Sequence, residues 1–212
     1  MGWRFSNSVR FGFNAFYVMT DDVQAVSTLS TMDTTTALQN VGDTDIYGIE
    51  AELSGVFDVG SGLVRWGGSA ATTNGSFGDG AVITTSGGGN MVEVIDLSDA
   101  RVNRTRDYVV AANAFYFGPL SGSLDWFAGG SIQTEGGGFE NASGDTSSAT
   151  GRDLDDFFLA DARIGVRGDA WTLSVFGKNL GDEVYRVQTV LGNAYYNEPQ
   201  KFGVELKVEF GG

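Results

Sequence analysis

Strict alternation of apolar and polar side chains near the end of the chain is the feature that most limits its fold. The run 202–210 reads Phe-Gly-Val-Glu-Leu-Lys-Val-Glu-Phe, so every second residue is apolar and those between are glycine or charged. In a β-strand this period places the two sets on opposite faces. The run therefore predicts a strand with one apolar and one charged face, as in a soluble edge strand or a strand of an outer-membrane barrel.

The same alternation recurs along the chain and predicts an all-β fold of about eight antiparallel strands. None of the apolar faces carries Asp, Glu, Lys or Arg, and the strand charges fall on the opposite face. Such exclusion is expected where a face meets lipid, because Lys or Arg at the bilayer midplane of a barrel costs roughly 2–4 kcal/mol. The predicted strands are 9–19, 46–57, 63–73, 107–117, 123–133, 157–167, 171–178 and 202–210.

Connections between the predicted strands alternate between short and long. Outer-membrane barrels have this asymmetry, with short periplasmic turns and long extracellular loops, whereas several long structureless loops are unusual in one small soluble domain. The pattern therefore favours part of an up-and-down transmembrane β-barrel over a soluble β-sandwich. The predicted turns are 58–61, 118–121 and 168–170, and the predicted long loops are 21–43, 74–106, 134–155 and 179–201.

Composition excludes several classes of function. The net charge of −14 disfavours a nucleic-acid groove, because phosphates repel carboxylates. The chain contains neither cysteine nor histidine, which excludes disulfides, thiolate and histidine metal sites, and the Ser-His-Asp and Cys-His catalytic arrangements. We therefore expect a protein that is not an enzyme and that needs no cofactor.

Two groups of side chains are weak candidates for contacts with a ligand. Arginines just before the fourth predicted strand suit an anionic ligand or lipopolysaccharide phosphates, although pairing with neighbouring acidic residues is favoured. Tyrosines in the last long loop suit stacking on a ligand, although a place in the aromatic girdle at the membrane surface is favoured. The arginine cluster is Arg101, Arg104 and Arg106, and the candidates for ligand contacts are Arg101, Arg104, Tyr185, Tyr195 and Tyr196.

Clustered carboxylates raise the question of a calcium site. Asp96 and Asp99 lie in one long connection, and Asp153, Asp155 and Asp156 precede the sixth predicted strand. Oxygen-rich loops hold calcium in some proteins, but the spacing here matches no EF-hand. We therefore expect solvated acidic loops and no metal site.

Four segments resemble, in the same order, strands of the TonB-dependent outer-membrane receptors. Residues 171–185 contain an alternating apolar run, then Lys-Asn-Leu, a short acidic turn and Tyr. Residues 196–210 resemble the final strand of that family, with a proline shortly before it and an aromatic residue near its end. Residues 41–53 contain Tyr-Gly-Ile-Glu, similar to the family's Tyr-Gly-x-Glu strand, and 11–22 resemble the strand before it. The resemblance covers nearly the whole chain.

The resemblance implies that residues 1–212 are the C-terminal part of a receptor β-barrel, without its plug domain and signal peptide. The complete protein would be a transporter of the bacterial outer membrane, with about 22 strands around a plug. Its ligand would be scarce and bulky, such as siderophore-bound iron, cobalamin or a glycan. Its partners would be outer-membrane lipid and lipopolysaccharide, the barrel-assembly machinery and, through the N-terminal part, the TonB complex.

By the same resemblance, the final strand carries the signal that the barrel-assembly machinery recognises. The family usually ends on the aromatic residue itself, whereas Gly211 and Gly212 follow here. The residues of this assembly signal are Phe202, Val204, Leu206, Val208 and Phe210.

A stand-alone eight-stranded outer-membrane barrel with a structural or adhesive role is the alternative. Eight is an even number of strands and a size that closes on itself. An open fragment instead exposes two unpaired strand edges, which neither water nor lipid favours. The sequence leaves both interpretations open and does not identify the ligand.

Overall fold

Nine antiparallel strands form the main sheet of the computed structural model, counted over the residues that the structure describes: 2–6, 9–30, 32, 35–88, 91–102, 105–140, 152–190 and 193–210. In chain order, the strands of these residues are β1 (Gly2–Ser6), β2 (Val9–Thr28), β3 (Thr36–Val59), β4 (Gly62–Phe77), β5 (Val82–Gly88), β6 (Met91–Asp96), β7 (Tyr108–Ser121), β8 (Leu124–Gly136), β9 (Phe139–Glu140), β10 (Arg152–Asp153), β11 (Phe157–Arg167), β12 (Trp171–Lys178), β13 (Arg186–Val190), β14 (Asn193–Tyr196) and β15 (Lys201–Val208).

The main sheet is an up-and-down meander that stays open. Its order is β1–β2–β3–β4–β7–β8–β11–β12–β15, and neighbouring strands are antiparallel. Within the described residues, β1 and β15 each pair on one side only, while β5–β6, β9–β10 and β13–β14 form small two-stranded sheets in the long connections. The predicted all-β, antiparallel, partial-barrel fold is confirmed. Over the same residues, no helix is long and apolar enough to cross a membrane.

Strand positions agree most closely with the prediction in the second half of the chain. The predicted strands 157–167 and 171–178 coincide with β11 and β12. The main sheet has nine strands rather than about eight, because β1 pairs with the start of β2.

The segment 21–43, predicted as a polar loop, is mostly strand. There β2 and β3 continue beyond the rest of the sheet as a two-stranded ribbon, and the pairing shifts register between Thr20 and Gln24. Asp22 and Gly42 take positive φ angles of 52° and 124° at this irregularity. A β-bulge moves the side chains that follow it to the other face. The two-residue alternation is therefore interrupted, and a prediction based on alternation fails here.

The turn predicted at 118–121 lies further along the chain. β7 continues to Ser121, and the chain reverses at Gly122 and Ser123. Gly122 has φ of 58°, a left-handed conformation that glycine adopts without steric cost. Pro119 remains in the strand beside a register shift, a position where a strand tolerates proline.

Register shows which side chains share a face, because directly paired residues of antiparallel strands project to the same side. One row of paired residues that runs from β3 to β15 is wholly uncharged. Two members of this row, Val175 and Val204, leave 52% and 71% of their surface exposed. An exposed face without charge suits contact with lipid, and we call it the apolar face. The row is Phe57, Val64, Tyr116, Ala128, Ile164, Val175 and Val204.

The opposite side of the sheet, which we call the charged face, carries arginines and aromatic rings. Two of these rings lie over glycines of the next strand: a Cβ atom at Gly129 would collide with Phe115, and one at Gly203 with Phe176. A row of the charged face is Val56, Arg65, Phe115, Gly129, Arg163, Phe176 and Gly203. In these two rows the charged side chains lie on this face only.

Candidate functional site

The candidate site lies at one end of the main sheet, which we call the long-loop end. The β2–β3 ribbon and the described residues of the connections 78–107, 137–156 and 179–200 lie there, while the turns near 60, 122 and 169 lie at the opposite, short-turn end. Loops of this kind, held on a rigid sheet, are where proteins usually place recognition residues.

A hydrophobic core lies at the long-loop end, between the β2–β3 ribbon and the β5–β6 hairpin. Ile83 of β5 and Leu97, just after β6, have no exposed surface. Burying an aliphatic side chain contributes roughly 1.5–3 kcal/mol, so the hairpin is packed in place. The cluster consists of Ala25, Val41, Phe77, Ala81, Ile83 and Leu97.

Polar contacts fix the same hairpin to the ribbon. The side-chain amide of Gln39 donates to the carbonyl oxygen of Thr84 at 2.7 Å and accepts from its N–H group at 3.1 Å. The buried hydroxyl of Ser27 donates to the same carbonyl at 2.6 Å. The side chain of Gln39 thus satisfies the N–H and the carbonyl oxygen of Thr84, as the backbone of a neighbouring strand would.

After the hairpin, the chain returns along the end of β4. The N–H of Phe77 donates to the carbonyl of Ala100 at 2.8 Å, and the N–H of Val102 donates to that of Gly75 at 3.0 Å. The candidate Arg101 forms an ion pair with Asp107. This contact agrees with the favoured interpretation, in which this arginine pairs with an acidic neighbour. The other arginine candidate, Arg104, lies outside the described residues.

A second cluster joins all three long connections around Arg106. Its guanidinium donates to the carbonyl oxygens of Asp155 at 3.0 Å and Gly137 at 3.3 Å, and its Nε atom lies 3.3 Å from a carboxylate oxygen of Glu135. The guanidinium carbon also lies 5.6 Å from the centre of the Phe157 ring, within the range of a cation–π contact.

Tyr185 extends this cluster into the last connection. Its ring stacks on Phe157, with centroids 4.0 Å apart and planes 14° from parallel. Burial, followed by the negative charge of Glu135, raises the pKa of the phenol, and the positive charge of Arg106 opposes that shift. The structure does not bring the other two tyrosine candidates to this stack, since Tyr195 and Tyr196 project from β14 with more than half of their surface exposed.

Arg186 binds the acidic segment that precedes β11. Its guanidinium donates to the carbonyl oxygen of Asp153 at 2.6 Å and lies 3.3 Å from the Oδ1 atom of Asp155. The Oδ2 atom of Asp155 accepts from the backbone N–H of Arg186 at 2.8 Å. The carboxylate of Asp156 accepts from the N–H of Gly137 at 2.9 Å. In the part of the chain that the structure describes, no three Asp, Glu, His or Cys side chains are grouped as metal ligands. The contacts of the Asp155 and Asp156 carboxylates connect this segment to the start of its own connection and to the neighbouring connection.

The Lys-Asn-Leu motif has a structural explanation in Asn179, which is buried and has φ of 51°. Its side-chain amide donates to the carbonyls of Glu183 at 2.9 Å and Glu198 at 3.2 Å, and accepts from the Glu183 N–H at 2.8 Å. Its own N–H donates to Asp161 of β11 at 2.9 Å. Asparagine suits the position because it tolerates a left-handed backbone and both donates and accepts.

A groove of about 650 Å³ runs along the charged face near the short-turn end. Phe117 and Phe127 line it together with Arg163, Arg167 and Lys207. Alternation in the sequence separates charge from apolar residues but does not predict that phenylalanines share the charged face. Gly165, directly opposite Phe127, was the available signal for that ring, because a ring fits over a partner without a side chain. Phe117 lies opposite Phe127 and Leu63, and no glycine indicates its position.

Comparison with known proteins identifies the fold. The family model of the TonB dependent receptor-like β-barrel matches residues 1–180. The siderophore receptor PiuA from Acinetobacter baumannii is similar in structure, with a TM-score of 0.68 and 15% identity, over 98% of this chain and 27% of that one. The outer membrane transporter YddB from Escherichia coli has a TM-score of 0.62 and 15% identity, over 99% of this chain and 31% of that one.

At 15% identity the likeness to both structures establishes the fold alone. The chain spans less than a third of the length of either protein. No curated protein matches the chain in sequence.

Proposed function

The chain belongs to the TonB-dependent receptor family, as part of its β-barrel in the bacterial outer membrane, and from this premise we propose that it forms part of the wall of an energised transporter. The paired strands supply the wall, and the connections at the long-loop end face the exterior and contribute to ligand recognition. We assign no catalytic step to it.

We also propose that residues 1–212 are the C-terminal part of the barrel, with a plug domain and a TonB-binding segment elsewhere in the complete protein. The observation that supports a partial barrel is the open sheet, whose terminal strands β1 and β15 have partners on one side only among the described residues. A stand-alone eight-stranded barrel would pair its first and last strands. Further strands of the same receptor would satisfy both edges. The C-terminal position is supported by the resemblance of residues 171–185 and 196–210 to the last two strands of the family.

The ligand we propose is scarce and bulky, of the siderophore–iron, cobalamin or glycan class. Support comes from the rigid construction of the long-loop end, where a hydrophobic core and an arginine-centred cluster fix the connections. Tyr195 and Tyr196 are exposed there for contacts with a ligand or with lipopolysaccharide. Arg101 and Tyr185 have protein partners and would contribute by positioning the loops.

Uptake by the complete protein tests the proposed function. Cells that express the complete gene product would be given labelled siderophore–iron, cobalamin or oligosaccharide, with and without a functional TonB complex. We expect binding in both strains and accumulation only where TonB functions. Equal accumulation in the two strains, or passage of small solutes without any binding, would contradict the proposal and favour an open or purely structural barrel.

A further inference from the structure

We infer that two contacts on the charged face, the Arg163–Ser174–Glu205 cluster and the stacking of Phe176 over Gly203, set the register of β15 against β12. This statement concerns assembly of the barrel wall and does not depend on what the protein transports. It assigns a role to side chains on the opposite face of β15 from the predicted assembly signal.

The apolar face alone does not define this register. Val175 lies opposite Val204, and Leu173 opposite Leu206. A slip of two residues in either direction would place Val175 opposite Leu206 or Phe202, and both faces would keep their character. Hydrophobic contact with lipid is therefore nearly the same in all three registers, so another interaction must distinguish them.

Arg163 supplies the first distinguishing contact by connecting three strands. From β11, its Nε and Nη2 atoms donate to the hydroxyl of Ser174 on β12 at 3.0 and 2.7 Å. The same guanidinium forms an ion pair with Glu205 on β15. Ser174 is buried and lies directly opposite Glu205. A charge-assisted cluster of this kind depends on geometry and forms in one register only.

The Phe176 ring supplies the second contact. Gly203 is the direct partner of Phe176, and a Cβ atom there would lie 2.5 Å from the ring. Of the residues of β15 that share this face, Gly203 alone has no side chain. The ring therefore fits over the native partner and over no other position of the same face.

Slipped registers lose both contacts at once. A slip in one direction places Lys207 opposite Ser174, beside the Arg163 guanidinium, and Glu205 beneath the Phe176 ring. A slip in the other direction places Lys201 beneath that ring and leaves Ser174 opposite a glycine. Both slips separate Glu205 from the Arg163 guanidinium and place a side chain beneath the Phe176 ring, and the first also brings the like charges of Arg163 and Lys207 together across β12. Only the native register therefore satisfies the charged face.

Disulfide trapping in the complete protein, inserted in an outer membrane, tests this inference. Residues 1–212 contain no cysteine, and any cysteine elsewhere in the complete protein would first be replaced by serine, so that each introduced pair reports alone. The pair Val175→Cys with Val204→Cys reports the native register. Val175→Cys combined with Leu206→Cys or with Phe202→Cys reports the two slips. In the otherwise unchanged protein we expect cross-linking of the native pair alone.

Charge reversal should move the equilibrium between registers. With Glu205→Lys we expect the ratio of slipped to native cross-links to rise about fivefold, the change for an ion pair worth about 1 kcal/mol. The double variant Arg163→Glu with Glu205→Lys should restore the native ratio. Gly203→Leu should also raise the slipped fraction. Glu209→Lys is the matched control, because it makes the same charge reversal on the same face of the strand while Glu209 pairs with Lys207 rather than with Arg163.

An unchanged ratio in both Glu205→Lys and Gly203→Leu would overturn the inference. If Glu205→Lys never reaches the membrane, recovery of native cross-linking by the double variant supports the inference, and failure of the double variant to assemble overturns it. A shift as large in Glu209→Lys would show that charge on this strand, rather than this ion pair, controls the register.

Discussion

At the scale of single residues, Asn179 shows why the last connection needs a particular amino acid. Its backbone has φ of 51°, and its buried amide makes three hydrogen bonds within the connection. A left-handed conformation costs most residues roughly 1–2 kcal/mol. An unsatisfied buried polar group costs roughly 1–3 kcal/mol. The cost of the left-handed backbone and the satisfaction of the buried polar groups both depend on the side chain of Asn179.

We therefore expect Asn179→Ala to lower the free energy of unfolding by roughly 2 kcal/mol or more, because it loses the amide and strains the backbone. Asn179→Gly keeps the backbone conformation and should lose less, about 1–2 kcal/mol. Denaturant unfolding of the complete protein in detergent measures both. Equal stability of the two variants would show that backbone conformation does not contribute.

Tyr185 offers a second test at this scale, through pH. Burial and the charge of Glu135 raise the pKa of its phenol above the ordinary value of 10.0. The folded protein therefore favours the neutral phenol. This contribution to stability is fully present below the ordinary pKa and is lost as pH rises through the raised value.

The tyrosinate absorbance of the protein, minus that of Tyr185→Phe, isolates this group. We expect the midpoint of the difference titration to lie above about 10. The stability of Tyr185→Phe relative to the unchanged protein should vary over the same pH range. A midpoint at or below about 10 would argue against the buried stack on Phe157.

At the scale of elements, the connection between β4 and β7 is a packed unit rather than an unstructured loop. Ile83 and Leu97 are fully buried in its core. Val94 of β6, in the same hairpin, leaves 64% of its surface exposed. Truncating a buried isoleucine or leucine to alanine costs roughly 2–5 kcal/mol. Truncating an exposed valine should cost little.

Limited proteolysis of outer membranes tests this packing. With Ile83→Ala we expect cleavage within 78–107 to become at least about tenfold faster, while the main-sheet strands stay intact. Val94→Ala, in the same hairpin, should be cleaved at the rate of the unchanged protein. Equal rates for the two variants would mean that the connection opens without involving its core.

How far the sequence predicted these elements depends on alternation. β11 and β12 were predicted with the bounds that the structure has, because their two-residue period is uninterrupted. The β2–β3 ribbon was missed because bulges after Thr20 interrupt that period. The core around Ile83 was missed because its members come from four separate segments of the chain. Alternation describes one strand at a time and carries no information about such packing.

The candidate site was predicted less completely for the same physical reason. The pairing of Arg101 with an acidic neighbour was expected, because Asp107 is close in sequence. The contacts of Arg106 with Glu135 and Phe157 join distant connections, and no local pattern indicates them. The ligand-binding and assembly roles of the candidate residues stay predictions.

At the scale of the whole molecule, the two faces of the sheet define how the chain meets its surroundings. Neighbouring residues of β12 alternate between them: Val175 belongs to the exposed apolar face, and Phe176 belongs to the charged face. In an outer-membrane barrel the apolar face contacts lipid and the charged face lines the interior. The family assignment and the proposed transport role both require this arrangement.

The most direct measurement is therefore a scan of single cysteines along β12, in the complete protein within an outer membrane. Each cysteine would carry a spin label, and its accessibility to oxygen, which dissolves in lipid, would be compared with accessibility to a water-soluble chelate. We expect labels at Leu173 and Val175 to be accessible to oxygen, and those at Thr172 and Ser174 to be shielded from it. Accessibility without a two-residue period, or with the period reversed, would contradict the assignment of this sheet to a barrel wall.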